Sequence, residues 1–179
     1  MIEGSMNQNH KIYPYQEKIK TYAEIEKIAE SLKKKGKKLV MVSGCYDIVH
    51  LGHVRFLMDA KQKGEVLIVS VGSDKNIKQI KGPERPVMSQ EYRASMLASL
   101  TPVDYVVIDE EPITLPDRVN FLQLLSLVRP HYFAVNNNDR SIEAKRILVA
   151  KFNASLRIVD VTLSAITSTT KILDILNGL

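Results

Sequence analysis

Lys38 to Ser43 (KLVMVS) runs without a break into Gly44 to His53 (GCYDIVHLGH), and Leu51 to Lys63 follows with helical spacing as far as Gly64. The first segment is a short apolar run, the pattern of a strand buried on both faces. Strand, turn and helix are therefore predicted in that order, with His50 and His53 three residues apart at the junction. Residues at i and i+3 share one helical face. Backbone N–H groups at a helix start lack partners, and the positive end of the helix dipole lies there. Gly44 and Gly52 carry no Cβ, so backbone and a phosphate can approach closely. Free N–H groups, a positive dipole end and two imidazoles together predict a phosphate site. Two blander readings stand beside it. A histidine at a helix start also serves as a cap or surface residue, and a His pair at this spacing also binds metal. No Cys, Asp or Glu cluster of ligand spacing stands nearby to complete a zinc site.

Outward from this junction the alternation continues. Thr21-Tyr22-Ala23-Glu24 fits a capping box before a helix that Gly36 ends. Glu65 to Gly72 is a second strand, Val103 to Ile108 a third, His131 to Val135 a fourth and Leu156 to Val161 a fifth. Ser89 caps a helix reaching about Leu100, Pro116 opens one reaching Val128, Ile142 to Phe152 is another, and Ser168 precedes a last helix that Gly178 terminates. Strands alternating with helices predict a doubly wound parallel five-stranded α/β sheet, Rossmann-like. Ligands of such sheets bind beyond the carboxyl ends of the strands, at the switch point. Residues 21–179 are expected to form a single domain, and residues 1–20 a flexible N-terminal segment.

Composition is that of a soluble globular protein, 45% hydrophobic and 25% charged. Cys45 is the lone cysteine, which excludes an intrachain disulfide and fits a cytoplasmic setting. No apolar run approaches membrane-spanning length, so no membrane partner is expected. The net charge of +5 is too small to favour a nucleic-acid partner. Part of that charge sits in Lys33-Lys34-Lys35-Gly36-Lys37-Lys38, a solvated helix end or a phosphate-attracting rim.

Gly44 to His53 resembles the G-x-[FY]-D-x-x-H-x-G-H signature of the cytidylyltransferase-like nucleotidyltransferase superfamily. The similarity continues through Leu39 to Gly72, Lys81 to Val87 (KGPERPV), Arg93 and Val103 to Val107. It is greatest toward the heptose 1-phosphate adenylyltransferase (ADP-heptose synthase) branch. Ser168-Thr169-Thr170 resembles the S-T-T motif of that branch and of the glycerol-3-phosphate cytidylyltransferases. The resemblance implies transfer of AMP from ATP to a sugar phosphate, with release of pyrophosphate. His50, His53 and Lys81 would be catalytic. Gly44, Cys45, Tyr46, Gly52, Asp139, Thr167, Ser168 and Thr169 would contact the nucleotide. Asp47, Arg85 and Arg93 would serve the acceptor or its phosphate, with Asp47 otherwise holding the turn and the basic residues otherwise surface charges. Mg²⁺ would accompany the NTP, with no direct protein ligand expected, and a homodimer is an open expectation.

The chain departs from that branch at Val135-Asn136-Asn137-Asn138-Asp139, where the branch has Lys-Gly-Gly-Asp-Tyr, and at Val42-Ser43-Gly44, where it has Thr-Asn-Gly. Cys45-Tyr46-Asp47 and Lys81-Gly82-Pro83 also look like ethanolamine-phosphate cytidylyltransferases, which keeps CTP in view. Three alternatives stay open: a cytidylyltransferase for an alcohol phosphate, an FMN adenylyltransferase, and a nucleotide-binding regulatory protein without turnover.

Overall fold

The computed structural model describes residues 13–113, 121–139 and 141–160, together with 172, 173 and 178. These residues build a five-stranded sheet in the order β3-β2-β1-β4-β5, with every pairing parallel. The strands are β1 (Leu39–Gly44), β2 (Val66–Gly72), β3 (Tyr105–Asp109), β4 (Tyr132–Asn136) and β5 (Ser155–Val159). β1 lies in the middle because its first four residues are all buried, which only a central strand provides. Its side chains alternate: Leu39 and Met41 enter one core, Val40 and Val42 the other.

Helices cover both faces. α1 (Tyr22–Lys34), α5 (Leu122–Val128) and α6 (Ile142–Ala150) pack through Ile25, Ala29, Leu124, Leu125, Val128 and Val149 on the Leu39/Met41 face. α2 (Leu51–Lys61) and α4 (Gln90–Ala98) pack through Phe56, Leu57, Ala60, Ala94 and Leu97 on the opposite face. The strand order reverses direction between β1 and β4, so the switch point opens at the carboxyl end of β1, where the motif begins.

The caps predicted at Thr21 and Ser89 are present. The Thr21 side chain accepts the Glu24 N–H, the Glu24 carboxylate accepts the Thr21 N–H, and Ser89 accepts the Tyr92 N–H. One helix is not in the sequence-based expectation: α3 (Asp74–Lys81), capped by Ser73. Its segment DKNIKQIK is short and polar, with two isoleucines too few to show a periodicity. Pro116 and the final helix from Ser168 lie outside the described residues.

Residues just before Thr21 lie against the sheet. Pro14–Lys18 forms a 3₁₀ turn, and Ile19 bridges Val106 in parallel. The Lys20 N–H donates to the Val106 carbonyl at 2.8 Å, and the Lys18 ammonium donates to the Val103 carbonyl at 2.8 Å. β3 is an edge strand whose open hydrogen-bonding groups recruit this segment.

The lysine run sits between α1 and the amino end of β1, the sheet edge opposite the motif. Lys33 donates to the Val128 carbonyl at the end of α5, and Lys37 pairs with Glu65. A phosphate rim is therefore not its place; it closes helix ends.

Candidate active site

Gly44 ends β1, and the chain then turns sharply through Tyr46, whose φ of +50° is left-handed. A non-glycine residue held there stores backbone strain, which persists where surrounding contacts fix it. The Tyr46 ring is buried beneath Gly44, and a Cβ added at Gly44 would stand 2.8 Å from Tyr46 Cε2. The glycine is thus required by its own motif's tyrosine. Burial raises the pKa of that tyrosine, and its hydroxyl is buried without a hydrogen-bond partner among the described residues.

His50 is the N-cap of α2, its Nδ1 accepting the Gly52 N–H at 3.1 Å. An accepting Nδ1 puts the proton of the neutral ring on Nε2, which is then the free donor. His53 stacks on His50, ring centroids 3.9 Å apart and 22° from parallel, and meets the Tyr46 ring edge-on at 5.2 Å. Burial, and then the neighbouring His50, hold the His53 pKa at about 4, the Ile48 backbone offsetting part of the depression. Burial lowers His50 as well. Both rings are neutral at physiological pH, so what they offer an anion is N–H dipoles rather than fixed charge.

Two ion pairs, each with one buried partner, frame the motif. Asp47 is 3% exposed; its carboxylate accepts the Arg85 Nε at 2.5 Å and the backbone N–H groups of Val87 and Met88 at 2.8 and 3.1 Å. It therefore holds the turn and the Lys-Gly-Pro-Glu-Arg-Pro-Val segment together. Arg93 has a different place from the expected acceptor contact. It is 1% exposed, with Nη1 on the Cys45 carbonyl at 2.6 Å, Nη2 on Asp74 at 2.6 Å and Nε on the Met88 carbonyl at 3.0 Å. A guanidinium packed this way locks three loops and does not face a ligand. Arg85 keeps its Nη groups outside the Asp47 pair among the described residues.

A cavity of about 210 Å³ opens beside the motif, at the carboxyl ends of β1 and β2. Gly44, Cys45 and Ser70 line it from the strand ends, Asn76 and Lys81 from α3, and Lys145 from α6. Burial raises the Cys45 thiol pKa, with Lys81 and Arg93 opposing. Asp139, expected near the nucleotide, has its oxygens engaged locally: Oδ1 accepts from the Ser141 N–H and hydroxyl, Oδ2 pairs with Lys145 at 2.6 Å. Asn136, at the end of β4, has a buried Oδ1 without a partner among the described residues.

The structure thus brings Gly44, Cys45 and Lys81 to one cavity and sets the His50–His53–Tyr46 stack beside it at the same sheet edge. Lys145, Ser70 and Asn76 belong to no motif, and Asn136 lies in the segment that departs from the heptose branch. Lys145 carried one faint signal, its spacing of six residues from Asp139; Ser70 and Asn76 carried none. Thr167, Ser168 and Thr169 lie outside the described residues. Among the described residues no three His, Cys, Asp or Glu side chains cluster to hold a metal, and the motif's one acid, Asp47, is occupied.

Comparison with known proteins places this geometry. The profile of the cytidylyltransferase-like family matches residues 41–173. The bifunctional protein HldE of a Nitratiruptor species is 42% identical over 147 residues, 82% of this chain and 30% of that protein. HldE of Aliarcobacter butzleri is 46% identical over 113 residues, 63% of this chain and 22% of that protein. The chain therefore spans under a third of the length of these curated relatives. Among solved structures, pantoate-β-alanine ligase from Francisella tularensis superposes with a TM-score of 0.62 at 19% identity, covering 89% of this chain and 76% of that one. A lipopolysaccharide core biosynthesis protein from Thermoplasma volcanium gives 0.58 at 22% identity, over 73% of this chain and 100% of that one. Both likenesses speak to the fold.

Proposed function

The chain belongs to the cytidylyltransferase-like family, and from that premise we propose that it transfers AMP from ATP to a sugar phosphate of the heptose 1-phosphate kind, releasing pyrophosphate. An oxygen of the acceptor phosphate attacks the α-phosphorus in line. The new O–P bond forms as the bond from the α-phosphorus to the β-phosphate bridging oxygen breaks, and pyrophosphate carries off that electron pair. A phosphate nucleophile is already ionised at neutral pH, so no general base is needed. What remains for the protein is alignment and charge stabilisation.

The observation that carries this reading is the stacked, neutral His50–His53 pair at the carboxyl edge of β1, next to a cavity flanked by Lys81 and Lys145. His50 Nε2–H and the helix start of α2 would donate to the triphosphate as charge shifts toward the leaving group. Lys81, and Arg85 through its Nη groups, would attract the phosphates. Mg²⁺ would come with the triphosphate and screen its charge; the described residues form no protein site for it, and no step is assigned to it. Preference for ATP over CTP follows the likeness to the heptose branch and to the HldE proteins. Pyrophosphate release from ATP or CTP with sugar, polyol and flavin phosphates tests the proposal. Release with ATP and a sugar 1-phosphate supports it, and nucleotide binding without release from any pair rejects it.

A further inference from the structure

Two buried polar residues of the cavity lining, Ser70 and Asn76, offer it acceptors. Ser70 is 1% exposed and Asn76 3%, yet both line the cavity. The Ser70 hydroxyl donates its single hydrogen to Asp109 Oδ2 at 3.0 Å. A hydroxyl has one hydrogen and two lone pairs, so toward the cavity Ser70 can only accept. Asn76 spends its Nδ2 hydrogens on the carbonyls of Asp109 and Glu111, at 3.4 and 2.8 Å, and has only its Oδ1 left to offer. Asp109 is fully buried at the end of β3 and is fixed from behind. Its Oδ1 accepts the Tyr22 hydroxyl at 2.6 Å and the Glu111 N–H at 3.1 Å. Burial raises the pKa of this carboxyl, and the hydrogen bonds from Tyr22, Glu111 and Ser70 oppose that rise. Three donors converging on the carboxylate hold it as an acceptor, and that sets which way the Ser70 hydrogen points.

Lys81 and Lys145 line the same cavity and supply ammonium donors to it. Ammonium donors suit a phosphate; the acceptors of Ser70 and Asn76 suit groups that donate. We propose that Ser70 and Asn76 determine acceptor specificity by accepting hydrogen bonds from the acceptor's hydroxyl groups, with Asp109 and Tyr22 as positioning residues. The preferred acceptor is then a polyhydroxylated phosphate, with its phosphate on the lysines and its hydroxyls on Ser70 and Asn76. The inference rests on the transferase reading above for the name "acceptor", but not for the binding chemistry. A ligand lacking those hydroxyls leaves two buried acceptors unpaired, the kind of mismatch that discriminates by large factors.

The experiment uses the full chain, as wild type and Ser70→Ala, with heptose 1-phosphate, its singly deoxygenated analogues and ethanolamine phosphate. Kinetics and calorimetric binding are both measured. Wild type should prefer the fully hydroxylated compound over at least one deoxy analogue by about tenfold or more. In Ser70→Ala that preference should collapse, with the acceptor KM raised and the ATP KM unchanged. Asp109→Asn should likewise raise the acceptor KM alone; should it fail to fold, Ser70→Ala decides. Calorimetry separates the two claims. Hydroxyl-dependent binding that Ser70→Ala abolishes, without pyrophosphate release, rejects the transferase reading and upholds this inference. Ser70→Ala retaining the full preference against every deoxy analogue overturns it, as does wild type binding ethanolamine phosphate as well as the sugar phosphate.

Discussion

The imidazole of His50 lies flat against that of His53, centroids 3.9 Å apart, while its Nδ1 is tied to the Gly52 N–H of the same helix. The cap and the proposed catalytic donor are therefore different atoms of one ring. Alanine at His50 removes both, whereas His50→Asn restores a cap acceptor without the Nε2 donor. We expect His50→Ala, His50→Asn and His53→Ala each to lower kcat by roughly 10²-fold or more, the scale of losing one transition-state donor. Melting temperature should fall in His50→Ala and recover in His50→Asn. Near-normal turnover in His50→Asn would reduce that histidine to a cap.

The stack also has a pH signature. His53 has a pKa of about 4 in the folded chain, below the ordinary 6.5. Between these values the unfolded chain takes up a proton that the folded chain refuses. Stability from this group is complete above about pH 6.5 and drains away as pH falls toward 4. Relative to pH 7.5, the wild type should lose about 2 kcal/mol more than His53→Gln at pH 4.5. Urea unfolding at the two pH values measures it, and parallel losses in the two proteins would contradict the buried neutral ring.

Arg93 and Asp47 are predicted to act through architecture. Breaking a buried ion pair by removing one partner costs about 3 kcal/mol or more, because the other charge is stranded. Arg93→Met and Asp47→Asn should therefore lower the denaturation midpoint strongly. In Asp47→Asn the Mg²⁺ dependence of whatever turnover survives should match the wild type. A tenfold weaker Mg²⁺ response with normal stability would move Asp47 to the metal.

How far the sequence reveals this site depends on what fixes each part. The strand-to-helix junction at Ser43–Leu51 is written in local periodicity and glycine placement, and the five strands are short apolar runs, so both are legible. Arg93 shows what is not: on an amphipathic helix a buried arginine looks like a surface one until its partners Cys45, Asp74 and Met88 are brought around it. Ser70, Asn76 and Asp109 meet only because β2 and β3 pair in register, Ser70 opposite Val107. That register is a tertiary fact. Helix α3 escapes for the opposite reason, since its stability comes from the Ser73 cap and Ile77 packing rather than from a long periodic pattern.

The S-T-T resemblance leads us to propose that the segment Thr167-Ser168-Thr169-Thr170 contacts the nucleotide's phosphates. A plain cap at Ser168 would cost about 1 kcal/mol of stability on change to Ala and leave nucleotide kinetics alone. A phosphate contact would raise the ATP KM or lower kcat in Ser168→Ala and Thr169→Ala with little change in melting temperature. We expect the second pattern; unchanged kinetics with a clear stability loss would assign the segment to capping.

Nucleotidyl transfer by the motif at the end of β1 is read out by pyrophosphate release. ATP and CTP are each paired with heptose 1-phosphate, glycerol 3-phosphate, ethanolamine phosphate and FMN, using wild type and His53→Ala. We expect pyrophosphate and a nucleotide-linked sugar from ATP with heptose 1-phosphate, a higher kcat/KM for ATP than for CTP, and loss of both products in His53→Ala. Tight nucleotide binding with no pyrophosphate from any of the pairs would contradict it.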